Sequence, residues 1–417
     1  MYLCQKQKRI VSKKIITIKN KTIMKKYLFL ALGVAALTSC SSDEVTELNQ
    51  GNEIKFSVVA DNDSRAQTVY CNNNPMTSFK VYASANESET FINGDEYVGT
   101  AIETAWTNNE GTDRYWPETA SLDFYAVVNA EASIPSNWTS QATPTVAFTT
   151  NTTVGYQLDF LYAVSDNKTK AINASAPVLL NFRHALSQIE FMAKNDNPNL
   201  KVVVEGVKVG KYYQVGTYTL PYANTETNFE SHDQTATHTH AVGSWAITES
   251  TLKDYIVEGL DVEVNNGDTK GLTLSLVDAT DATNANYTNS MLLLPSENNA
   301  GKTTAWTPNA DETDYDGTYL GVKCKIYNVV ETGVVSETAL LHDGWAIIPV
   351  SFEWEQGKKY IYTFNFTNGG NGGYEDDPEK PEPVLVPIQL QLTVDDFQKG
   401  ENYTNTMTTQ TQQTVNP

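Results

Sequence analysis

Cysteine is scarce in this chain, which has only four among 417 residues. Cys4, Cys40, Cys71 and Cys324 are too few for a disulfide scaffold, and no Cys-x-x-Cys or Cys/His spacing typical of zinc sites is present. The sequence therefore predicts no thiolate metal centre, and it leaves open whether Cys71 and Cys324 pair.

Basic residues are also few relative to acidic ones. The chain has 29 Lys and Arg against 50 Asp and Glu, and residues 1–39 hold nine of the basic residues and none of the acidic ones. The remainder therefore carries 20 basic and 50 acidic side chains, a formal charge of −30. Such a charge disfavours nucleic acid and anionic membrane surfaces as partners.

The motifs of common enzyme classes are missing as well. No Gly-x-Ser-x-Gly elbow, phosphate-binding loop or dinucleotide fingerprint occurs, so we expect no enzyme, no catalytic residues and no cofactor. His232, His238 and His240 lie in a Ser/Thr-rich stretch without a carboxylate at a recognisable spacing, which favours a solvated loop over a metal site. His184 lies in an alternating apolar segment and is interpreted as a hydrogen-bonded structural histidine.

Sustained helical periodicity is absent, and short alternating segments rich in Val, Tyr, Thr and Phe take its place. Examples are residues 79–83, 122–127 and 360–366, each bounded by Asn, Gly, Asp and Ser clusters. This pattern predicts an all-β protein built of β-sandwiches. The length predicts two domains, and the polar run 195–199 is the favoured boundary between them.

The beginning of the chain contains an export signal. Met24-Lys25-Lys26 is followed by the apolar stretch 27–37 and by Leu37-Thr38-Ser39-Cys40. The apolar core is shorter than the roughly 20 residues that span a bilayer, and small residues precede Cys40, as a lipoprotein-processing peptidase requires. We expect translation to start at Met24 and a lipid to be attached to Cys40, although an ordinary secretory peptide is an open alternative.

An alternating strand follows the signal at residues 53–58. Ile54, Phe56 and Val58 share one face, and the next stretch, residues 61–66, is polar and includes Arg65 followed by Ala66. A strand followed by an accessible loop is a candidate removable strand. A first strand with an ordinary surface loop is the alternative.

A second alternating strand lies at the other end of the chain. Residues 368–373 are Gly-rich and residues 375–383 are acidic and Pro-rich, which predicts a flexible hinge joined to a stiff spacer. In the strand beyond it, Ile388, Leu390, Leu392 and Val394 face one way. Such a strand is a candidate donor for a groove in a neighbouring subunit, or else it folds back onto its own domain.

Four stretches carry a resemblance to the fimbrillin family, the pilus subunits of Bacteroidetes. They are the signal with its acidic continuation at 41–44, residues 159–163, residues 182–191, and the ending at 354–364 with 393–397. The resemblance implies two transthyretin-like β-sandwich domains in tandem and a surface-exposed outer-membrane lipoprotein. It also implies cleavage at Arg65-Ala66 by an Arg-specific surface protease and assembly with other fimbrial subunits into a head-to-tail polymer through a donor strand at 384–395.

The expected organisation is therefore a leader and signal peptide (1–39), a propeptide with the removable strand (40–65), an N-terminal sandwich (66–195), a C-terminal sandwich (196–366), a linker (367–383), a donor strand (384–400) and a polar tail (401–417). The proposed role is a fimbrial subunit that contributes to adhesion, with stalk, tip and anchor positions left open. A monomeric surface lipoprotein that binds a glycan or a host protein is the alternative.

Tryptophans near turn-rich segments bear on that alternative. Trp106, Trp116, Trp138, Trp245 and Trp306 would suit stacking on sugars, but core packing is the favoured interpretation.

Overall fold

The computed structural model describes residues 52–59, 76–99, 106–139, 142–222, 242–274, 290–296, 303–309, 311–331, 334–367, 372–385, 388–396 and 410–411. All of these belong to one compact unit, residues 49–417. Cys40, Arg65, Ala66, Cys71, His232, His238 and His240 lie outside the described residues.

The described chain is almost entirely β-structure, which confirms the predicted fold class. Its only helices are a short α-helix, α1 (Lys170–Asn173), and a 3-10 turn at Val154–Tyr156. No helix in the described ranges has the length and apolar character needed to cross a membrane. The strands are β1 (Phe56–Val59), β2 (Ser78–Ala85), β3 (Glu89–Val98), β4 (Thr107–Asn108), β5 (Ser121–Val128), β6 (Ala132–Ser133), β7 (Thr145–Thr149), β8 (Leu161–Thr169), β9 (Val178–Asn181), β10 (Arg183–His184), β11 (Ser187–Asn195), β12 (Leu200–Tyr213), β13 (Val215–Thr219), β14 (Ser244–Ile247), β15 (Leu252–Val264), β16 (Thr269–Gly271), β17 (Ser290–Leu293), β18 (Tyr319–Glu331), β19 (Val334–Pro349), β20 (Lys358–Phe366), β21 (Tyr374–Glu375), β22 (Ile388–Asp396) and β23 (Gln410–Thr411).

A six-stranded sheet of order β10-β8-β5-β2-β3-β4 is the centre of the N-terminal part. Its middle strands β8, β5 and β2 bury apolar residues on both faces, as β5 illustrates. Phe124 and Ala126 point into one core, and Tyr125 and Val127 point into another. The first core is covered by the two-stranded parallel pair β1-β9, and the second is shared with the sheet β14-β13-β7-β6. Both faces therefore need a covering layer to exclude water.

The sheet β14-β13-β7-β6 joins segments from both sides of the expected boundary at residues 195–199. β6 and β7 precede this boundary in sequence and β13 and β14 follow it, yet β13 pairs antiparallel with β7 over five positions, from Val215 opposite Thr149 to Thr219 opposite Thr145. Backbone hydrogen bonds of a shared sheet therefore connect the two halves of the sequence.

The C-terminal part consists of two sheets, β16-β11-β20-β22-β23 with β17 also on β11, and β15-β12-β18-β19-β21. Apolar side chains from both sheets meet in the large core. On β12, Val202 and Val204 are fully buried, and so are Val207 and Val209. A register irregularity between Val204 and Gly206 adds one residue, which lets both pairs face the core although their numbers differ in parity.

A glycine on β12 makes room for an aromatic ring on the neighbouring strand β18. A Cβ atom at Gly210 would lie 2.0 Å from the Tyr319 ring, so no larger residue fits without displacing that ring. Tyr319 is itself buried and packs on Tyr315 at a centroid distance of 4.4 Å. Gly210 thus positions an aromatic cluster on the outer side of this sheet.

We expect Gly210→Ala to lower the free energy of unfolding by about 1–3 kcal/mol, because the added methyl group overpacks the Tyr319 site. Gly271→Ala is the matched control, since its Cβ would meet no atom within 4 Å. The control should change stability by no more than about 0.5 kcal/mol. Urea denaturation of both variants checks this, and equal effects would contradict the close approach at Gly210.

Candidate functional site

The side chains of Phe56 and Val58 in β1, the strand expected to be removable, and of Ile54 just before it are buried. Ile54, Phe56 and Val58 are between 1% and 4% exposed, whereas Lys55 between them is exposed. This alternation matches the face predicted from the sequence. Burial of three such side chains contributes about 5–9 kcal/mol gross at roughly 1.5–3 kcal/mol each.

The backbone of β1 is attached to two different segments. On one side β1 runs parallel to β9, with Phe56 opposite Val178 and Val58 opposite Leu180. On the other side the Ile54 N–H donates to the Arg114 carbonyl oxygen at 2.7 Å, just before the strand begins. β1 thus has one ladder partner among the described strands, and it fills a groove between β9 and the segment around Arg114.

Aromatic rings surround Phe56 in this groove. Its ring centroid lies 4.7 Å from that of Tyr97, 5.4 Å from that of Phe124 and 6.2 Å from that of Phe79, with interplanar angles between 79° and 89°. Edge-to-face contacts of this kind are the favoured geometry for aromatic pairs. Burial raises the pKa of Tyr97 to about 12, so the tyrosine is neutral at physiological pH.

The chain after β1 leads to the expected cleavage site. β1 ends at Val59 and the described chain resumes at Met76, so Arg65 and Ala66 fall between two described segments. Their proximity to β1 is a matter of sequence alone, and cleavage there stays a prediction.

The C-terminal strand β22 lies in the sheet of its own chain. It pairs antiparallel with β20 over nine positions, from Ile388 opposite Phe366 to Asp396 opposite Lys358. Ile388 and Leu390 are buried, Leu392 is half-buried and Val394 is 41% exposed. The predicted apolar face therefore packs on the core at its beginning and extends towards solvent at its end.

The linker before β22 also packs against the protein, where the sequence predicts a spacer. Tyr374 pairs with Ile347 of β19, and the Val384 N–H donates to the Gly373 carbonyl oxygen at 3.0 Å. Val384 is buried and Leu385 is 94% exposed. The described C-terminal strand is β22, Ile388–Asp396, and the predicted donor limits of 384–395 or 384–400 stay a prediction.

An ion pair beneath an aromatic cluster fixes this linker. Lys208 Nζ, on a side chain that is 6% exposed, lies 2.5 Å from Asp376 Oδ2 and 4.5 Å from the centroid of the Trp345 ring. The Tyr315 hydroxyl donates to Asp376 Oδ1 at 2.5 Å, and burial raises the pKa of Tyr315. Tyr374 packs on Trp306 at 5.6 Å. Sequence reasoning missed this contact, because nothing in a Pro-rich acidic stretch indicates which distant lysine it meets.

Four of the five tryptophans considered for sugar stacking belong to the core. Trp106, Trp116, Trp138 and Trp306 are at most 5% exposed, and Trp245 is half-buried with its Nε1–H donating to the Ala185 carbonyl oxygen. Core packing, the favoured interpretation, therefore accounts for the four buried rings.

The remaining candidate groups in the described ranges, His184 and Cys324, are buried. His184 Nδ1 lies 2.7 Å from Asp159 Oδ2 and both residues are buried, and the structural role expected of this histidine stays a prediction. Cys324 is unpaired and buried, and burial raises the pKa of its thiol. No group of three or more His, Cys, Asp or Glu in the described part of the chain is arranged to hold a metal ion.

Comparison with known proteins finds a family model described as fimbrillin-like that matches residues 64–379. Both β1 and β22 lie outside the matched range. A fimbrial protein from Bacteroides vulgatus is 15% identical, with a TM-score of 0.49 and coverage of 83% of this chain and 99% of its own. A candidate cell adhesion protein from Bacteroides uniformis is 12% identical, with a TM-score of 0.41 and coverage of 83% and 99%. A search of curated proteins finds no match.

We expect Phe56→Ala to lower the free energy of unfolding by about 3–5 kcal/mol, because it leaves a cavity between three aromatic rings. Lys55→Ala, an exposed neighbour on the same strand, should change it by no more than about 0.5 kcal/mol. Chemical denaturation of both variants provides the measurement. A small loss for Phe56→Ala would mean that β1 contributes little to the stability of this core.

We expect Asp376→Asn to weaken the docking of the linker, because Lys208 then keeps a buried charge without its carboxylate partner. The loss of stability should be about 1–2 kcal/mol, less than for a fully buried pair because the Asp376 side chain is partly exposed. Amide hydrogen exchange should accelerate at Tyr374 and Glu375. Glu379→Gln removes the same charge at an exposed position and serves as the control; equal exchange rates in the two variants would contradict the proposed anchoring.

Proposed function

This chain belongs to the fimbrillin-like family of fimbrial structural and adhesion proteins, and on that premise we propose that it is a surface fimbrial subunit assembled by strand exchange. In this proposal the chain is exported as an outer-membrane lipoprotein through Cys40 and is then cut between Arg65 and Ala66. Removal of the segment before Ala66 takes β1 away. The vacated groove accepts a strand from another fimbrial subunit, and because such a contact is heterologous, contacts of this kind can continue head to tail along a polymer of fimbrial subunits.

The burial of β1 is the observation that supports this proposal most. A short strand with a single described ladder partner covers one face of the central sheet with Ile54, Phe56 and Val58. Its loss would uncover aromatic and aliphatic side chains of that sheet, which water solvates poorly. A replacement strand restores both the ladder hydrogen bonds and the apolar cover, so a vacated groove favours association with another subunit.

The proposed donor is β22, with Ile388, Leu390, Leu392 and Val394 as its inserting face. β22 follows a linker and is bordered on its far side, among the described residues, only by the two-residue strand β23. Its alternation of apolar and polar residues suits a groove that binds side chains on one face. Transfer of β22 to a neighbour would exchange burial in its own sheet for burial in the groove of the next subunit.

A second candidate function is favoured by the same strand. β22 pairs with β20 at nine positions, and the linker before it is held by the Lys208–Asp376 ion pair. The C-terminal strand therefore has its hydrogen-bonding partner within its own subunit. A surface lipoprotein that stays monomeric and binds a glycan or a host protein would have this arrangement. A tip or anchor subunit that does not donate a strand would have it too.

We expect the protein sheared from the surface of its native bacterium to begin at Ala66 and to lack lipid. Intact mass and N-terminal sequencing measure both properties. An Arg65→Lys variant keeps the charge but removes the bond that an Arg-specific protease recognises, so it should remain in the outer-membrane fraction with lipidated Cys40. A wild-type protein that itself retains lipidated Cys40 would contradict trimming and favour the monomeric lipoprotein or an anchor subunit.

A further inference from the structure

The groove beneath β1 has a specific shape at its middle. Phe56 is 1% exposed and contacts three rings edge to face, with Tyr97 the nearest at 4.7 Å. Ile54 and Val58, two residues before and after it, complete the buried face. The segment that fills the groove, residues 54–58, thus places one aromatic side chain between two aliphatic ones.

The part of the groove that surrounds Phe56, here called the aromatic pocket, is lined by aromatic rings. These rings in turn pack against further aromatic rings. Phe79 lies 4.9 Å from Trp106 and 5.4 Å from Phe182, and Phe124 lies 6.0 Å from Trp116. Large rings held by other large rings have little freedom to move inward. A smaller side chain at the Phe56 position would therefore leave empty space and lose the edge-to-face contacts.

The C-terminal strand of this chain offers no aromatic residue for that pocket. Its inserting face consists of Ile388, Leu390, Leu392 and Val394, all aliphatic. The nearest aromatic in sequence, Phe397, is odd-numbered and would fall on the opposite face of a regular strand. It lies outside the described residues. A register that turned Phe397 into the groove would place Asp395 and Lys399, which are charged, at the two positions where the groove holds aliphatic side chains.

The same strand already has a place in its own subunit. Ile388 and Leu390 are buried against the large core. Moving them into an identical subunit would uncover that core and would gain an imperfect fit in the aromatic pocket. Loss of burial in its own sheet opposes transfer of the strand to any partner, and only the poor fit in the aromatic pocket counts specifically against a second copy of this chain.

Building on the proposed function, we propose that the groove vacated by β1 selects a strand of a different fimbrial subunit, one that carries an aromatic side chain between two aliphatic ones at alternate positions. A second copy of this chain is a poor donor. The subunit then occupies a junction between unlike subunits: its groove binds one kind of strand, and its own aliphatic strand belongs in a groove of another kind. Phe79, Tyr97 and Phe124 are the residues that determine this preference.

A displacement assay tests the selectivity directly. Residues 49–417 form one compact unit, and a specific protease site placed between residues 60 and 75 of that protein separates β1 without using Arg65. A fluorophore on the N-terminal fragment reports its release by anisotropy. The competitors are the peptide of residues 49–59, its Phe56→Leu variant, the peptide of residues 384–396, and the Leu390→Phe, Leu392→Phe and Gln391→Phe variants of the latter.

We expect the 49–59 peptide to displace the fragment at least about tenfold more effectively than its Phe56→Leu variant, a factor that corresponds to about 1.4 kcal/mol. Leu390→Phe or Leu392→Phe should improve the 384–396 peptide by a similar factor. Gln391→Phe, which adds the same ring on the opposite face, should give no improvement. That control separates a fit to the pocket from general hydrophobicity.

Two results would overturn the inference. The first is a Phe56→Leu peptide that competes as well as the parent, and the second is an unmodified 384–396 peptide that competes as well as its aromatic variants, as a groove suited to a second copy would allow. Failure of the proposed function looks different. In that case no peptide, including 49–59, displaces the fragment, because the groove of the cut protein does not exchange strands.

Discussion

The need to cover one apolar face of the six-stranded sheet constrains the rest of the molecule. β2, β5 and β8 are buried on both faces, so water must be excluded from each. One face is covered by a sheet that belongs to the folded body, but the other depends on β1 and β9. Three buried side chains, Ile54, Phe56 and Val58, supply part of this cover, and in sequence they lie before residues 60–75, apart from the rest of the sheet.

The remainder of the described unit is tied together more extensively. β7 and β13 come from distant parts of the sequence and share a ladder, and the long strands β12, β18 and β19 form a continuous sheet. The linker before β22 adds Tyr374 and Asp376 to the outer face of that sheet. Such cross-connections favour a rigid body. The two alternating strands, β1 and β22, lie at the two ends of this unit, and the proposed strand exchange involves only them.

These two strands are similar in pattern and different in fit. Both alternate apolar and polar residues, so both can pair at a sheet edge with one face buried. For this reason the sequence alone is compatible with donor-strand exchange for both strands. The groove around Phe56 distinguishes them, because Tyr97, Phe79 and Phe124 contact a ring that Leu390 does not supply. In the proposed strand exchange, side-chain shape would therefore select the donor as much as backbone hydrogen bonding does.

Sequence by itself determined the all-β class and which face of β1 and of β22 is apolar, because these depend on local alternation and composition. It also carried the resemblance that the family match confirms. Only the tertiary structure decided that β13 and β14 join strands from the other side of residues 195–199, that Lys208 holds the linker, and that aromatic rings line the groove of β1. These features are contacts between residues far apart in the chain, and a period-two pattern fixes which face of a strand is buried without fixing what it is buried against.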